Sequence, residues 1–163
     1  MAHDNSKLAA WMQPEEILLN VDVKDRHGAL EFMAAAIGRA HGLDAAPIAR
    51  ALERREQAAS TALGDGFAIP HARIGGLDRP LTLFIRTKTG IAFDAPDGRP
   101  VSDLLAILVP AEGDKQDHLR LLALIARLFS DRVFRELLDR APDAPTAASL
   151  FRAGARRVSE PAA

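Results

Sequence analysis

The chain contains no cysteine and no tyrosine, and its only tryptophan is Trp11. Without cysteine there are no disulfides, thiol nucleophiles or thiolate metal ligands. The formal net charge of −1 at pH 7 gives no general electrostatic attraction to nucleic acid or to an anionic membrane. No apolar run approaches the length of a transmembrane helix. We therefore expect neither a nucleic-acid partner nor insertion into a membrane.

Several motifs of known chemistry are also missing. There is no GxSxG nucleophile elbow, no GxxxxGK[ST] phosphate loop and no GxGxxG dinucleotide motif. His71, His118 and either Asp65 or Asp117 could together supply the ligands of a zinc site, but no HxxxH or HExxH spacing supports one. We therefore expect no cofactor and no metal, and a metal-dependent enzyme is the weakest alternative.

The chain has 163 residues, of which 48% are hydrophobic, and this suits one domain with a real core. We expect a single domain over residues 1–163, with its core over about 14–156 and loose termini. The polar N-terminus lacks the pattern of a signal peptide, so the expected location is the cytoplasm.

Apolar periodicity predicts the main elements of a mixed fold. Helical spacing begins near Asp25 and stops at Gly42, and Asp44 and Asp131 are predicted to cap later helices. The charged run over residues 53–56 indicates a solvated helix face. Strands are predicted over residues 17–21, 67–69, 81–87, 90–93 and 101–109. The resulting fold class is α/β of the α+β type, with a mixed sheet of roughly five strands flanked by helices.

Two histidines occupy similar positions after apolar strands. Pro70 ends the short run over residues 67–69, so His71 is predicted at the end of a strand, between glycine loops. His118 follows the strand that Pro110 ends, at the end of a polar loop over residues 111–118 that leads into a helix. Because strand ends at one edge of a sheet converge, the two side chains are predicted to share a pocket. By its local residues alone, His71 fits an exposed turn slightly better.

Phosphoryl relay is the chemistry that needs the residues present and little else. A neutral imidazole nitrogen attacks the phosphoryl group, while the other nitrogen keeps its proton through a hydrogen-bond acceptor. The transferred group needs donors and positive charge, which Arg55 or Arg73 can provide together with backbone N–H groups of the glycine loops.

One extended pattern surrounds both histidines. Its residues are Arg55, Glu56, Ser60, Thr61, Gly64, Gly66, Phe67, Ala68, Ile69, Pro70, His71, the run from Phe93 to Gly98, Val101, Leu108, Val109, Pro110, His118 and Leu119. The pattern resembles the active-site signature of the enzyme IIA proteins of the mannitol/fructose/nitrogen class, which belong to the bacterial phosphoenolpyruvate-dependent phosphotransferase system. The resemblance covers roughly residues 14–150.

The resemblance implies a role for each of three residues. His71 is expected to be phosphorylated by a small HPr-like carrier protein, and His118 to contact the phosphoryl group without being phosphorylated. Arg55 is expected near the site as a source of positive charge. Many members have glycine after the active histidine, and Ala72 departs from this pattern.

The resemblance also implies a biological role, in which the nitrogen-regulatory branch comes first because its members are typically free-standing domains. Such a protein regulates partners, for example kinases or potassium transport proteins, through its phosphorylation state. Two alternatives stay open. One is a sugar-specific enzyme IIA for fructose or mannitol, which passes phosphate to a IIB component. The other is an interaction module that has kept the fold without the phosphorylation.

Overall fold

The computed structural model describes residues 12–159, so most of the predicted loose termini lies outside the described residues, and residues 157–159 are the end of a helix. This part of the chain folds into two compact units. Residues 18–112 form the first unit, and residues 12–17 together with 113–159 belong to the second. Within the described residues no helix is long and apolar enough to cross a membrane.

A mixed sheet forms the centre of the first unit. The strand order is β1-β5-β6-β3-β2, and β4 also pairs with β6. The strands are β1 (Ile17–Val21), β2 (Ala62–Gly64), β3 (Phe67–Ala68), β4 (His71–Ile74), β5 (Leu81–Ile91) and β6 (Val101–Pro110). β6 is buried almost throughout, as its uninterrupted apolar run predicts.

Two helices precede the β2–β3 hairpin, and side chains cap both at their start. Asp25 caps α1 (Arg26–His41), and its carboxylate accepts a hydrogen bond from the Gly28 N–H at 2.7 Å. Gly42 ends α1 in the left-handed conformation, with a φ of 66°, which glycine adopts without steric cost. Asp44 caps α2 (Ala45–Ala58).

β3 and β4 lie along β6 in one continuous register. Phe67 and Ala68 lie opposite Asp103 and Leu104, and His71 lies opposite Ile107. The pairing is parallel in both strands, so they form a single line that is interrupted only at residues 69 and 70. Pro70 has no N–H to give, but its carbonyl still accepts the Ile107 N–H at 2.9 Å.

In the core of the first unit, α1 and α2 pack against even-numbered residues of β3, β4 and β6. Leu30, Met33 and Ile37 of α1 pack in one cluster with Ile48 and Leu52 of α2. The sheet contributes Ala68, Ala72, Leu104, Ala106 and Leu108 to the same cluster. Since side chains alternate along a strand, the odd-numbered His71 is directed to the other face.

Three helices make up most of the second unit: α3 (Lys115–Ser130), α4 (Arg132–Arg140) and α5 (Ala144–Ser159). Asp131 caps α4 by accepting hydrogen bonds from the N–H groups of Val133 and Phe134. The rings of Phe129, Phe134 and Phe151 form a cluster with centroid separations of 5.4–6.2 Å. One aromatic side chain from each helix therefore contributes to this packing.

The predicted class, a mixed sheet of roughly five strands flanked by helices, is confirmed, although individual strands differ from the prediction. The sheet has six strands. β2 and β4 were missed, and the two strands predicted over residues 81–87 and 90–93 are one strand, β5. β2 has three residues and β4 directly follows a proline, so neither shows a clear alternation.

The placement of both key histidines also differs from the prediction. His71 is the first residue of a new strand, β4, where the sequence predicted the end of the strand before it. His118 lies in the first turn of α3 and not at the end of the polar loop, since Asp114 caps that helix and it begins at Lys115, four residues before Leu119.

Ala72 is well suited to its place. It lies opposite Leu108 in β4, is buried, and is not among the residues with positive φ. The methyl group therefore fills apolar core and needs no glycine-like backbone.

We expect the Ala72→Gly substitution to lower the free energy of unfolding by about 1 to 2 kcal/mol, since it removes a buried methyl group and frees the unfolded backbone. Chemical denaturation measures this. Ala92→Gly, at an exposed position outside the strands, is the matched control for the backbone effect alone. Equal losses in the two variants would contradict a packing role for the Ala72 methyl.

Candidate active site

The half-buried imidazole of His71 is held by a hydrogen bond to a backbone carbonyl two residues earlier in the chain. Its Nδ1 lies 2.8 Å from the carbonyl oxygen of Ile69. A carbonyl only accepts, so Nδ1 carries the proton and donates. In the neutral ring this leaves the lone pair on Nε2.

The interruption between β3 and β4 places the Ile69 carbonyl where the ring can reach it. The Ile69 N–H donates to the carbonyl of Thr61 at 3.1 Å, on the side of β2. The next carbonyl, that of Pro70, accepts from Ile107 of β6 instead. Backbone groups of residues 69 and 70 therefore alternate in direction as in a regular strand, and the Ile69 carbonyl points away from β6 toward the imidazole.

Arg55 supplies positive charge at the other ring nitrogen. It lies in the last turn of α2, which packs against β4. Its Nε donates to Nε2 of His71 at 3.2 Å, and a terminal guanidinium nitrogen donates to the Ala59 carbonyl at 2.8 Å. The predicted juxtaposition of Arg55 and His71 is thus present in the structure, and the guanidinium lies at the nitrogen that holds the lone pair.

Burial lowers the pKa of His71 below its ordinary value of 6.5, and the charge of Arg55 lowers it further. The hydrogen bond to Ile69 acts in the opposite direction, because it favours the protonated ring, but it does not outweigh burial. The ring is therefore neutral at pH 7. A neutral ring with a fixed Nδ1 proton has the form that a nitrogen nucleophile requires.

Glu56 was assigned to a solvated helix face, and this prediction was wrong. The side chain is buried, and its carboxylate accepts two hydrogen bonds from Thr61, one from the N–H at 2.9 Å and one from the hydroxyl at 2.6 Å. A signal for this arrangement exists in the sequence: a carboxylate in the last turn of a helix, followed five residues later by threonine, can be bound by that residue's two donors.

Other parts of the signature around His71 stabilise the backbone. The Ser60 hydroxyl donates to the Phe93 carbonyl at 2.6 Å. In the turn of the β2–β3 hairpin, Gly64 and Gly66 have positive φ, and the Asp65 N–H donates to the Asp97 carboxylate at 2.8 Å. The glycines before His71 thus form a hairpin turn that the loop around Asp97 holds in place.

The remaining candidate residues are placed as follows. Arg73 lies two residues after His71 in β4, and its guanidinium donates to the Ala111 carbonyl at 3.4 Å. His118 is half-buried in the second unit, and its shared pocket with His71 stays a prediction. Across residues 12–159, no three His, Cys, Asp or Glu side chains are grouped in a way that could hold a metal ion.

Comparison with known families adds to this geometry. The family model described as "Phosphoenolpyruvate-dependent sugar phosphotransferase system, EIIA 2" matches residues 11–153. The chain belongs to this family. The resemblance noted in the signature residues therefore extends over most of the chain, and both His71 and His118 lie within the matched region.

Characterised relatives of this EIIA chain include both regulatory and sugar-specific proteins. A "Nitrogen regulatory protein" of Bradyrhizobium diazoefficiens is 37% identical over 131 residues, covering 80% of this chain and 85% of the relative. A "PTS system fructose-specific EIIA component" of Haloferax volcanii is 38% identical over 135 residues, covering 81% and 86%.

The crystal structure of the nitrogen regulatory protein IIA-Ntr from Neisseria meningitidis has the same fold. It superposes with a TM-score of 0.84 at 33% identity, covering 89% of this chain and 99% of that one. The mixed sheet and its helices are therefore the architecture of a known EIIA protein.

Replacing Arg55 with glutamine is expected to raise the pKa of His71, because the nearby positive charge that disfavours the imidazolium is removed. An NMR titration of the His71 ring measures the change. Arg54→Gln, at the exposed neighbouring position, is the matched control and should leave the pKa of His71 in place. A pKa unchanged in the Arg55 variant would show that the guanidinium does not act on the ring.

Proposed function

We propose that this EIIA chain is a histidyl phosphocarrier of the phosphoenolpyruvate-dependent phosphotransferase system, in which Nε2 of His71 accepts phosphate from an HPr-like carrier protein in the cytoplasm. The main support is the hydrogen bond from Nδ1–H of His71 to the Ile69 carbonyl, because it leaves the lone pair on Nε2. The lowered pKa of His71 adds to this, because it keeps the ring neutral at pH 7.

In the proposed transfer, the Nε2 lone pair attacks the phosphorus of the carrier's phosphohistidine. A P–N bond forms at His71 as the P–N bond to the carrier's histidine breaks, and the electron pair of that bond returns to the carrier's ring nitrogen. Nδ1 keeps its proton throughout. In the structure Arg55 donates a hydrogen bond to Nε2, so this bond must break before the lone pair can attack. Its guanidinium then lies beside the arriving phosphoryl oxygens and stabilises their charge.

For His118 we propose the role of a second active-site histidine, which donates a hydrogen bond to the phosphoryl group and is not itself phosphorylated. The family resemblance at His118 and Leu119 supports this role. So does the position of His118 in the first turn of α3, because helix N-termini favour bound anions.

The downstream role that we propose is regulatory. A phosphoryl group on a side chain adds about −1.5 to −2 charges, which changes what a docking surface binds. Similarity to a nitrogen regulatory protein supports this branch, in which partners such as kinases or potassium transport proteins respond to the phosphorylation state.

The second candidate is a sugar-specific enzyme IIA that passes phosphate to a IIB component. This candidate is supported by the fructose-specific relative, which is 38% identical to this chain. The regulatory relative is 37% identical, so sequence identity does not separate the two candidates. Restoration of fructose or mannitol uptake, together with a matching IIB and membrane component, would favour this candidate. Failure to restore uptake by a protein that is phosphorylated in the same cells would favour the regulatory role.

Wild-type protein incubated with phosphoenolpyruvate, the system's first enzyme and its HPr-like carrier should gain one phosphoryl group, measured by intact mass. His71→Ala should gain none, because the attacking nitrogen is absent. His27→Gln replaces an exposed histidine at the start of α1 and should be labelled like the wild type. Full labelling of His71→Ala, or no label on the wild type, would refute the proposal.

The His118→Ala variant should slow phosphoryl transfer on the order of a hundredfold, the usual cost of losing one donor to a developing charge. Thermal unfolding should stay cooperative, because the side chain is only half-buried. Rapid-quench kinetics and calorimetry measure the two effects. Loss of cooperative unfolding would instead make His118 a structural residue.

A further inference from the structure

A continuous series of hydrogen bonds leads from the buried carboxylate of Glu56 to the imidazole of His71. Glu56 accepts from the N–H and the hydroxyl of Thr61 at 2.9 and 2.6 Å. The Thr61 carbonyl accepts from the Ile69 N–H at 3.1 Å. The Ile69 carbonyl accepts from Nδ1 of His71 at 2.8 Å. Each link fixes the backbone group that makes the next one.

We propose that Glu56 is a positioning residue for His71, which fixes the tautomer and orientation of the ring through Thr61 and Ile69. Its importance for phosphoryl transfer depends on the proposed function, but its effect on the ring does not. Glu56 does not touch the reacting nitrogen, so its contribution is to place other groups.

The burial of Glu56 explains why these contacts must be precise. A carboxylate out of water is costly unless it is hydrogen-bonded, and both of its oxygens here accept from one residue. Thr61 thus cannot shift without leaving a buried charge unsatisfied. This holds the start of β2 against the end of α2, and with it the carbonyl that binds the Ile69 N–H.

The same contacts locate Arg55. Because Arg55 and Glu56 are adjacent in the last turn of α2, the bonds between Glu56 and Thr61 also fix the backbone from which Arg55 reaches Nε2. Both ring nitrogens of His71 are therefore bound by groups whose positions depend on Glu56: Nδ1 through Ile69, and Nε2 through Arg55.

The direct test is the tautomer of His71, read from the ¹⁵N chemical shifts of its ring at neutral pH. Glu56→Ala removes the acceptor. Thr61→Val removes only the hydroxyl donor and keeps the shape of the side chain, whereas Thr61→Ser keeps the hydroxyl and is its matched control. Asp103→Asn alters another buried carboxylate, which pairs with Arg86 outside this series, and controls for a general loss of stability.

Glu56→Ala and Thr61→Val should give a mixture of the Nδ1–H and Nε2–H tautomers and slow transfer by up to about a hundredfold, with little change in carrier binding. Thr61→Ser and Asp103→Asn should keep the Nδ1–H form. If the folded variants keep the wild-type tautomer and rate, the proposal is wrong, and Thr61→Val decides alone if Glu56→Ala does not fold.

The tautomer measurement needs no phosphate donor. A wild-type protein that accepts no phosphate would overturn the proposed function, and the ring shifts would still decide whether Glu56 positions His71.

Discussion

The hydrogen bond from Nδ1 of His71 to the Ile69 carbonyl is the interaction on which the site depends. In solution the proton of a neutral imidazole exchanges between its two nitrogens, so the lone pair has no fixed direction. In this chain a backbone carbonyl holds the proton on one nitrogen, and the rigid pairing of β4 with β6 fixes where the other points. The sheet thus determines which nitrogen of the side chain presents its lone pair.

The helices were predictable from the sequence because their signals are local. Asp44 and Asp131 cap helices as expected, and α1 begins after Asp25 and ends at Gly42 as expected. β2 and β4 were not predictable in this way. Each is too short for a clear alternation: β2 has three residues and pairs with β3 in the adjacent hairpin. β4 has four residues and pairs with β6, 36 positions further along the chain.

The residue types of the site were predictable, but their contacts were not. The placement of His71 after Pro70 and the presence of Arg55 could be inferred from the sequence, and the structure brings the two side chains together. The burial of Glu56 could not, because a charge in the last turn of a helix is usually solvated and only the fold of residues 59–61 supplies its donors. Ala72 shows the converse, since its departure from the family pattern is accommodated by ordinary strand backbone.

The continuous register along β6 limits how the length of this chain can vary. Residues 69 and 70 fill the two places opposite residues 105 and 106, so the line contains no extra residue. One insertion or deletion there would exchange the two faces of β4 and turn the imidazole into the apolar cluster that Ala72 now occupies. The loop over residues 75–80, after the strand, carries no such constraint. Relatives should therefore differ in length after the residue equivalent to His71 and keep the spacing before it.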